Sequence, residues 1–320
     1  MNPVRVDLTV ALAGELGVLD RLPTVPAPDA TDDDLVTVHH PALIEAVMAA
    51  SAAEARPDLL HGLGSDDNPI FPNMHQASRH VVGASLEAAR QVWTGQVDHA
   101  ANIAGGLHHA MPDRVSGFCV YNDVAVAIRW LLENGAERVA YVDVDVHHGD
   151  GVESIFYDDP RVLYVSTHEA PLYPGTGLAG ETGGPAAPHS NLNLPFPAGT
   201  RGDVYRQAFD DVIAPIVALH RPDWLFISAG FDGHRNDPLA GLELTSGDYA
   251  DFAVRLQALV PARRTVVVLE GGYDFDALSM STGATLAAMI GASYRPEAAS
   301  GGDIGLPTIN AAKQRWGLPA

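Results

Sequence analysis

Carboxylates and imidazoles alternate along one short stretch of the chain, Asp143-Val144-Asp145-Val146-His147-His148-Gly149-Asp150-Gly151. Alternate residues of an extended strand share one face, so Asp143, Asp145 and His147 can converge on one point. A catalytic zinc site usually has three protein ligands and an open position. Asp232, which follows another apolar run, is the natural third ligand beside Asp145 and His147. Zinc is the first expectation, while Fe²⁺, Co²⁺ or Mn²⁺ could also bind two carboxylates and one imidazole.

A tandem histidine pair follows two glycines in Gly105-Gly106-Leu107-His108-His109. Near neutral pH, histidine can serve as a general base toward water and as a general acid toward a leaving amine. Each imidazole needs a carboxylate on its other nitrogen to fix its tautomer, and Asp143 and Asp150 are available for this. Another pair, His39-His40, lacks the glycines and precedes Pro41, a typical first helical residue. We therefore expect His39-His40 to be structural.

Aromatic residues and one cysteine complete the set of candidates. Tyr273 ends the run Glu270-Gly271-Gly272-Tyr273, and its phenol could donate a hydrogen bond to a developing oxyanion opposite a metal. Phe118 and Tyr173 are candidate aromatic walls for an elongated substrate. Cys119, the only cysteine, is expected to be a small buried hydrophobe rather than a catalytic thiolate.

The elements that must position these residues are apolar strands and amphipathic helices. Continuously apolar runs are typical of strands buried on both faces, and they predict strands at residues 101–103, 139–144, 162–166, 191–194, 224–228 and 265–269. Helical patterns lie near residues 75–96, 123–133, 203–220, 246–260 and 276–288. The alternation predicts an α/β fold with a parallel sheet flanked by helices. Ligands bind beyond the carboxyl ends of such strands, which is where the candidates lie. Residues 169–188, rich in Gly and Pro, are expected to form a long functional loop.

Composition excludes several classes of protein. With 47% hydrophobic and 18% charged residues among 320, the chain is not a disordered, collagenous or coiled-coil protein. Its formal net charge of −21 argues against nucleic-acid binding, which needs a basic surface. One cysteine permits no internal disulfide and no cysteine-based zinc site. No segment approaches the roughly 18–20 apolar residues of a membrane span, and Asp7 and Glu15 interrupt any signal-peptide core. We expect a soluble cytoplasmic protein.

Five motifs together resemble the histone deacetylase superfamily. They are Gly-Gly-Leu-His-His, Gly-Phe-Cys-Val-Tyr-Asn-Asp, Asp-Val-Asp-Val-His-His-Gly-Asp-Gly, Ser-Ala-Gly-Phe-Asp and Glu-Gly-Gly-Tyr. The chain is most similar to bacterial deacetylases of the acetoin-utilisation type and to class II-like enzymes, over about residues 1–292. The resemblance implies the arginase/deacetylase fold, a single α/β domain with a parallel sheet of about eight strands.

The resemblance also implies how the chain is divided. Residues 1–295 would form the catalytic domain. The residue pattern of 296–320 itself predicts a weakly ordered C-terminal tail. Members of the family normally begin with a short strand and a His-Pro segment ahead of a stretch like Pro3-Val4-Arg5. We therefore expect that first strand either to precede Met1 or to be absent.

By position in the family motifs, each candidate receives a role. Zinc would be held by Asp145, His147 and Asp232. His109 would be the main general base and acid, with His108 as its electrostatic partner. Asp143 and Asp150 would orient the two imidazoles, and Tyr273 would polarise the acetyl carbonyl.

The remaining implied roles concern substrate and a second ion. Phe118 and Tyr173 would sandwich the aliphatic arm of acetyl-lysine, and Asp67 and Leu239 would lie at the rim, where Asp67 grips the substrate backbone. A structural K⁺ would bind through Asp143, Ser166 and the carbonyls of Asp145, His147 and Thr167.

The function implied by this resemblance is zinc-dependent hydrolysis of acetyl-lysine amides in proteins, releasing acetate and free lysine. One alternative is an acetylpolyamine or other small acyl-amide hydrolase, disfavoured because Leu239 stands where such enzymes place an acidic residue. A non-catalytic acyl-lysine binder would be expected to lack Tyr273 or a histidine. An arginase-like ureohydrolase would need two metal ions. The sequence assigns no oligomeric state.

Overall fold

Six apolar runs pair as parallel strands of one sheet in the computed structural model, which describes residues 4–22, 24–52, 55–260 and 264–319. The strands are β1 His99–Asn102, β2 Val139–Asp143, β3 Val162–Glu169, β4 Asn191–Phe196, β5 Trp224–Ala229 and β6 Thr265–Leu269. They are the six strands predicted from the apolar runs, with shifted ends. The count of about eight implied by the family resemblance is wrong for the described residues.

A helix covers one margin of the sheet, and the first described residues add no strand to it. Along β4 packs a helix, Leu306–Trp316, whose Thr308 hydroxyl donates to the Pro195 carbonyl at 3.0 Å. Covering an edge strand in this way blocks further pairing. At the other end of the chain, Val4–Glu15 is a helix and supplies no strand. Pro3, the first residue of the stretch that resembles the family's N-terminal region, lies outside the described residues.

Helices connect the strands and cover both faces of the sheet. In chain order they are α1 Val4–Glu15, α2 Asp32–Leu35, α3 Pro41–Ala50, α4 Met74–Trp93, α5 Asp123–Glu133, α6 Asp150–Phe156, α7 Gly202–Ala208, α8 Ala214–His220, α9 Ser246–Gln257, α10 Phe275–Met289 and α11 Leu306–Trp316. A π-helical turn at Phe209–Ile213 joins α7 and α8 into one rod. All five predicted helices are therefore confirmed, and Pro41 begins α3 as expected.

The core is split by the sheet into two layers. In β2, Val139 and Tyr141 pack with α4, α5 and α6, whereas Ala140 and Val142 pack on the face covered by α7 to α11. Alternate strand residues point to opposite faces, so a strand buried on both sides must be apolar throughout. No helix in the described part of the chain is both long enough and apolar enough to cross a bilayer.

The C-terminal segment is ordered, contrary to the expectation of a weakly ordered tail. Ile309 and Ala312 of α11 are buried in the same core as β4. Glu297 accepts hydrogen bonds from the backbone and hydroxyl of Ser246 and pairs with His234 at 2.8 Å. Burial of apolar residues on one helical face explains the order, a pattern that we did not recognise in the sequence.

The strand order, β1-β6-β5-β2-β3-β4, fixes where a ligand can bind. β2 and β5 are neighbours, but the chain continues from β2 to β3 on one side and from β5 to β6 on the other. Connections that leave in opposite directions open a crevice at the carboxyl ends of two such strands. Between β3 and β4, residues 170–190 contain no helix or strand, which confirms the predicted long loop.

Candidate active site

A cavity of about 440 Å³ opens at the carboxyl ends of the strands, beside the crevice between β2 and β5. Nine residues that were assigned a site role from the sequence line it, beside Cys119: Asp67, His108, His109, Phe118, Asp145, His147, Tyr173, Leu239 and Tyr273. Five others are buried next to them: Asp143, Asp150, Ser166, Thr167 and Asp232. The fold therefore brings all fourteen together from separate strand ends and loops.

Three side chains converge between the ends of β2 and β5 in a group able to hold a cation. Ligand atoms of Asp145, His147 and Asp232 all lie within 4.8 Å of one another. The Nδ1 atom of His147 is 3.2 Å from Asp145 Oδ1 and 3.0 Å from Asp232 Oδ2. Burial and the charge of Asp145 raise the pKa of Asp232 to about 6. A cation would relieve this repulsion between buried carboxylates, and the O/O/N donor set suits a divalent metal.

Backbone groups hold these carboxylates in place. The Gly271 amide donates to Asp145 Oδ2 at 2.8 Å, and the Val146 amide donates to Asp232 Oδ1 at 3.1 Å. A Cβ atom at Gly271 would lie only 1.9 Å from Asp232 Oδ2. The glycine that follows Glu270 is thus required because carboxylates pack directly on the backbone there.

The tandem pair His108-His109 sits on two carboxylates, as predicted. His108 Nδ1 donates to Asp143 Oδ2 at 2.8 Å, and His109 Nδ1 donates to Asp150 Oδ1 at 2.7 Å. Burial and the positive charge of His108 lower the pKa of His109 to about 4. For His108, burial is outweighed by the Glu270 and Asp143 carboxylates, which raise its pKa well above the ordinary value. Near pH 7, His109 is therefore neutral with an unprotonated Nε2, and its neighbour is cationic.

The turn that carries this pair is fixed by Asp123, the first residue of α5. Asp123 Oδ1 accepts from the amides of Gly106 at 3.1 Å and Leu107 at 2.8 Å. Asn122 caps α5 and donates from its side chain to the Ala110 carbonyl at 3.0 Å. No local pattern assigns Asp123 this role, although the Tyr-Asn-Asp run that contains it belongs to the family resemblance.

Tyr273 is held by residues that the sequence reasoning missed. Its amide donates to Asp237 Oδ2 at 2.7 Å, and the guanidinium of Arg5 lies 5.5 Å from its ring centroid. Burial raises the pKa of Tyr273, so its hydroxyl remains a hydrogen-bond donor at neutral pH. Arg5, itself buried, donates to the carbonyl of Glu270. No local pattern marks Arg5, because only the fold joins α1 to the end of β6.

Aromatic rings form the walls of the cavity mouth. Phe118 adopts φ 66°, a left-handed conformation that is rare for a bulky residue, and its amide donates to Asn68 Oδ1 at 2.9 Å. Strain of this kind persists where surrounding contacts fix it, commonly at functional sites. The Tyr173 ring lies 5.1 Å from that of His109, and its hydroxyl is hydrogen-bonded to Ser116 Oγ at 2.9 Å. No pattern in the sequence marks Ser116.

Asp67 and Leu239 lie at the rim of the cavity, as expected, and Cys119 is buried, as expected. Asp67 and Leu239 are both exposed where they line the cavity. Cys119 is buried, and burial raises the pKa of its thiol well above the ordinary value. A protonated, enclosed thiol is a poor nucleophile, so Cys119 fits the prediction of a small buried hydrophobe.

Oxygen atoms surround the residues expected to hold K⁺. Ser166 pairs with Asp143 across neighbouring strands, and the Thr167 hydroxyl donates to the Asp143 carbonyl at 3.3 Å. His168 Nε2 donates to the carbonyl of Gly177, so its Nδ1 accepts from the Ser166 hydroxyl at 2.9 Å. The hydroxyl proton of Ser166 therefore points toward His168, and the lone pairs of the Ser166 oxygen remain available to a cation. Hard cations prefer such donors.

Glu270 belongs to a second possible cation group, beside that of Asp145, His147 and Asp232. Its carboxylate accepts from the Ser228 hydroxyl at 2.7 Å and lies 3.7 Å from His108 Nδ1. Ligand atoms of His108, Asp145 and Glu270 also lie within 4.8 Å of one another. Glu270 belongs to the Glu-Gly-Gly-Tyr motif, a signal that we used only for its tyrosine.

Comparisons with known proteins point to one family. Residues 1–289 match the sequence profile of the histone deacetylase domain. The chain is 38% identical to the acetoin utilization protein AcuC of Bacillus subtilis over 280 residues, covering 85% of this chain and 72% of that one. It is 42% identical over 214 residues to a probable deacetylase of Archaeoglobus fulgidus, covering 65% of this chain and 60% of the relative. The crystal structure of the HDA15 HD domain superposes with a TM-score of 0.86 at 31% identity, covering 98% of this chain and 86% of that one.

Proposed function

The chain belongs to the histone deacetylase family, and from this premise we propose that it is a zinc-dependent hydrolase of acetyl-lysine amides in proteins. One observation carries the proposal. His109, a neutral histidine, and Tyr273, a protonated tyrosine, line one cavity. Asp145 and His147 line it too, and the buried Asp232 completes their group. A base, a hydrogen-bond donor and a cation site around one space are what amide hydrolysis requires.

The proposed metal ligands are Asp145, His147 and Asp232. Two buried carboxylates and one imidazole form a donor set for a divalent cation, and burial and the charge of Asp145 raise the pKa of Asp232. When bound, zinc supplies Lewis acidity toward water and toward the acetyl carbonyl. The same donors would accept Fe²⁺, which makes iron the second metal to test.

The chemical steps are assigned to residues of this chain. His109 Nε2 takes a proton from the attacking water, while Asp150 holds the Nδ1–H of the same ring and thereby fixes its tautomer. The Tyr273 hydroxyl donates to the oxyanion of the tetrahedral intermediate. His109 then returns its proton to the leaving amine, so acetate and free lysine depart. His108, held by Asp143, acts through its positive charge.

The shape of the cavity mouth supports an extended acyl-lysine arm as substrate. Phe118 and Tyr173 are aromatic walls, and Asp67 is an exposed carboxylate able to accept from a peptide backbone. Leu239 at the rim offers no charge to a polyamine. We therefore propose acetylated proteins, rather than acetylpolyamines, as the substrates. The proposed location of the reaction is the cytoplasm. Oxygen atoms around Asp143, Ser166 and Thr167 are proposed to hold a structural K⁺.

A ureohydrolase with two metal ions is the second candidate function, because His108, Asp145 and Glu270 form another possible cation group. Against it stands the charge balance at His108, whose Nδ1 donates to Asp143. A charged His108 between Asp143 and Glu270 balances these carboxylates without a second metal. Counting metal ions per chain separates the two candidates.

The test is a zinc titration of metal-free protein with an acetyl-lysine peptide as substrate. We expect acetate and free-lysine peptide in equal amounts, with turnover rising until one zinc is bound per chain. Asp232→Asn should weaken zinc binding and remove the activity. Acetylputrescine and arginine are run in parallel, and the metal content is measured directly.

Three results would overturn the proposal. Faster turnover of acetylputrescine would assign a small-molecule substrate instead. Release of urea from arginine with two metal ions per chain would favour the ureohydrolase. Tight binding of the peptide without turnover, with zinc and with Fe²⁺ under anaerobic conditions, would identify a non-catalytic acyl-lysine binder.

A further inference from the structure

Two buried histidines next to the proposed active site have no part in the mechanism above. His148 and His168 are each about 1% exposed, and their ring centroids are 4.9 Å apart. His148 follows the metal-group residue His147, whereas His168 lies near the end of β3. Polar side chains buried at this depth need partners, and both rings find theirs in the loop of residues 170–190, which we call the Tyr173 loop.

The two rings bind consecutive residues of that loop. His148 Nδ1 is hydrogen-bonded to Thr176 Oγ1 at 2.8 Å, and His168 Nε2 donates to the Gly177 carbonyl at 3.0 Å. Gly177 itself is wedged between the rings. A Cβ atom there would lie 2.6 Å from a carbon of His148 and 2.7 Å from a carbon of His168. Such contacts are shorter than any van der Waals separation allows.

The histidines are in turn fixed to the sheet. The Ser166 hydroxyl donates to His168 Nδ1 at 2.9 Å. His148 Nε2 lies 3.5 Å from Glu153 Oε2, and Glu153 Oε1 accepts from Asn191 at 2.6 Å and Asn193 at 2.7 Å. Glu153 belongs to α6, and both asparagines belong to β4. The loop is therefore anchored to a rigid support of strands and a helix.

We infer that His148 and His168 are positioning residues, which hold the Tyr173 loop through Thr176 and Gly177 and thereby set the affinity for the acyl-lysine arm. Tyr173 lies three residues before Thr176, and its ring packs edge-on against His109 at 5.1 Å. The anchor consists of the contacts of His148 with Thr176 and of His168 with Gly177. When these contacts are displaced, the Tyr173 ring shifts away from the cavity. The inference deepens the proposed function and depends on it for the identity of the substrate.

Two glycines of the loop provide a matched pair for the test. Gly177 has φ +80° and Gly175 has φ +82°, but a Cβ atom at Gly175 meets nothing within 4 Å. Gly177→Ala and Gly175→Ala therefore impose the same backbone strain, and only the former pushes against the histidines. We expect Gly177→Ala to raise KM for an acetyl-lysine peptide roughly tenfold with a smaller change in kcat. Gly175→Ala should stay within about threefold of the wild type.

Two further measurements separate positioning from general damage. In a Tyr173→Ala background, the effect of Gly177→Ala on kcat/KM should vanish if the anchor acts through that ring. Thr176→Val should raise KM in the same direction, and Thr176→Ser, which keeps the hydroxyl, should restore it. Zinc content should equal that of the wild type in every variant.

A readout without turnover keeps the inference separate from the proposed function. Hydrogen exchange of the Tyr173 loop amides should speed up in Gly177→Ala and Thr176→Val but not in Gly175→Ala or Thr176→Ser. Unchanged exchange, equal kinetics of the two alanine variants, or loss of zinc from Gly177→Ala would each overturn the inference. If the wild type turns over no acetylated substrate while the exchange pattern holds, the proposed function fails and the anchor stands.

Discussion

Two of the three His-His dipeptides, His39-His40 and His108-His109, lie in different parts of the molecule and have different partners. His39 is buried between backbone groups: its Nδ1 donates to the Met111 carbonyl at 3.1 Å, and its Nε2 accepts from the Asn122 amide at 2.9 Å. His108 and His109 instead donate to the carboxylates of Asp143 and Asp150. Both ring nitrogens of His39 are therefore occupied by backbone hydrogen bonds. In His109 only Nδ1 is occupied, by Asp150, and Nε2 is available for chemistry.

Burial alone does not distinguish the two regions. The pKa of His39 and that of His109 are both lowered to about 4, in each case chiefly by burial. Each region also contains a tyrosine: Tyr121 is hydrogen-bonded to His75 at 2.9 Å, and Tyr273 lines the cavity. A shifted pKa is therefore weak evidence for catalysis without a cavity and an unused nitrogen.

The largest expected effect separates the two histidine pairs by activity. His109→Gln removes the proposed base and acid, and we expect kcat to fall by about 10³-fold, within the range of general acid–base catalysis. His40→Gln, in the other pair, should leave kcat within about twofold, since surface changes away from the site are nearly neutral. Turnover is measured at saturating peptide and equal zinc content. Similar losses in both variants would contradict the contrast between the pairs.

The tyrosines give the next contrast. Tyr273→Phe deletes the proposed oxyanion donor, and we expect kcat to fall by roughly 10²–10³-fold, as for other such donors. Tyr121→Phe removes a buried hydroxyl of the His39 region and should lower stability rather than kcat per folded molecule. Single-turnover rates of zinc-loaded protein provide the comparison. Turnover of Tyr273→Phe near that of the wild type would remove the role assigned to Tyr273.

Much of this contrast could be predicted from the sequence, for a physical reason. Residues following buried parallel strands meet at one edge, so Asp145, His147 and Asp232 could be assigned together without knowing the topology. The glycines before His108 and the proline after His40 distinguished the two pairs. Arg5, Asp237 and Ser116 could not be found, because their contacts depend on how distant loops and α1 pack. The order of the C-terminal segment was missed because α11 is apolar along one narrow face only.

Burial of His39 makes the stability of the folded protein depend on pH. The folded-state pKa of His39 is about 4, below its ordinary value of 6.5, so the unfolded chain takes up its proton first as pH falls. Stability is therefore fully present above pH 6.5 and declines toward pH 4, by about 3 kcal/mol for a shift of this size. His39→Gln lacks this titration. The difference in unfolding free energy between wild type and variant should shrink between pH 7 and pH 4 in urea titrations, and parallel curves would contradict it.

The smallest effect concerns His40, the N-cap residue of α3. Its side chain accepts from the Ala42 amide at 3.2 Å and so caps the helix, although the ring is exposed. His40→Ala should cost about 1 kcal/mol of unfolding free energy, as other lost N-caps do, and leave kcat unchanged. His40→Asn, which can also cap, is the matched control and should keep the stability of the wild type. A change in turnover without loss of stability would mean that this pair, too, reaches the active site.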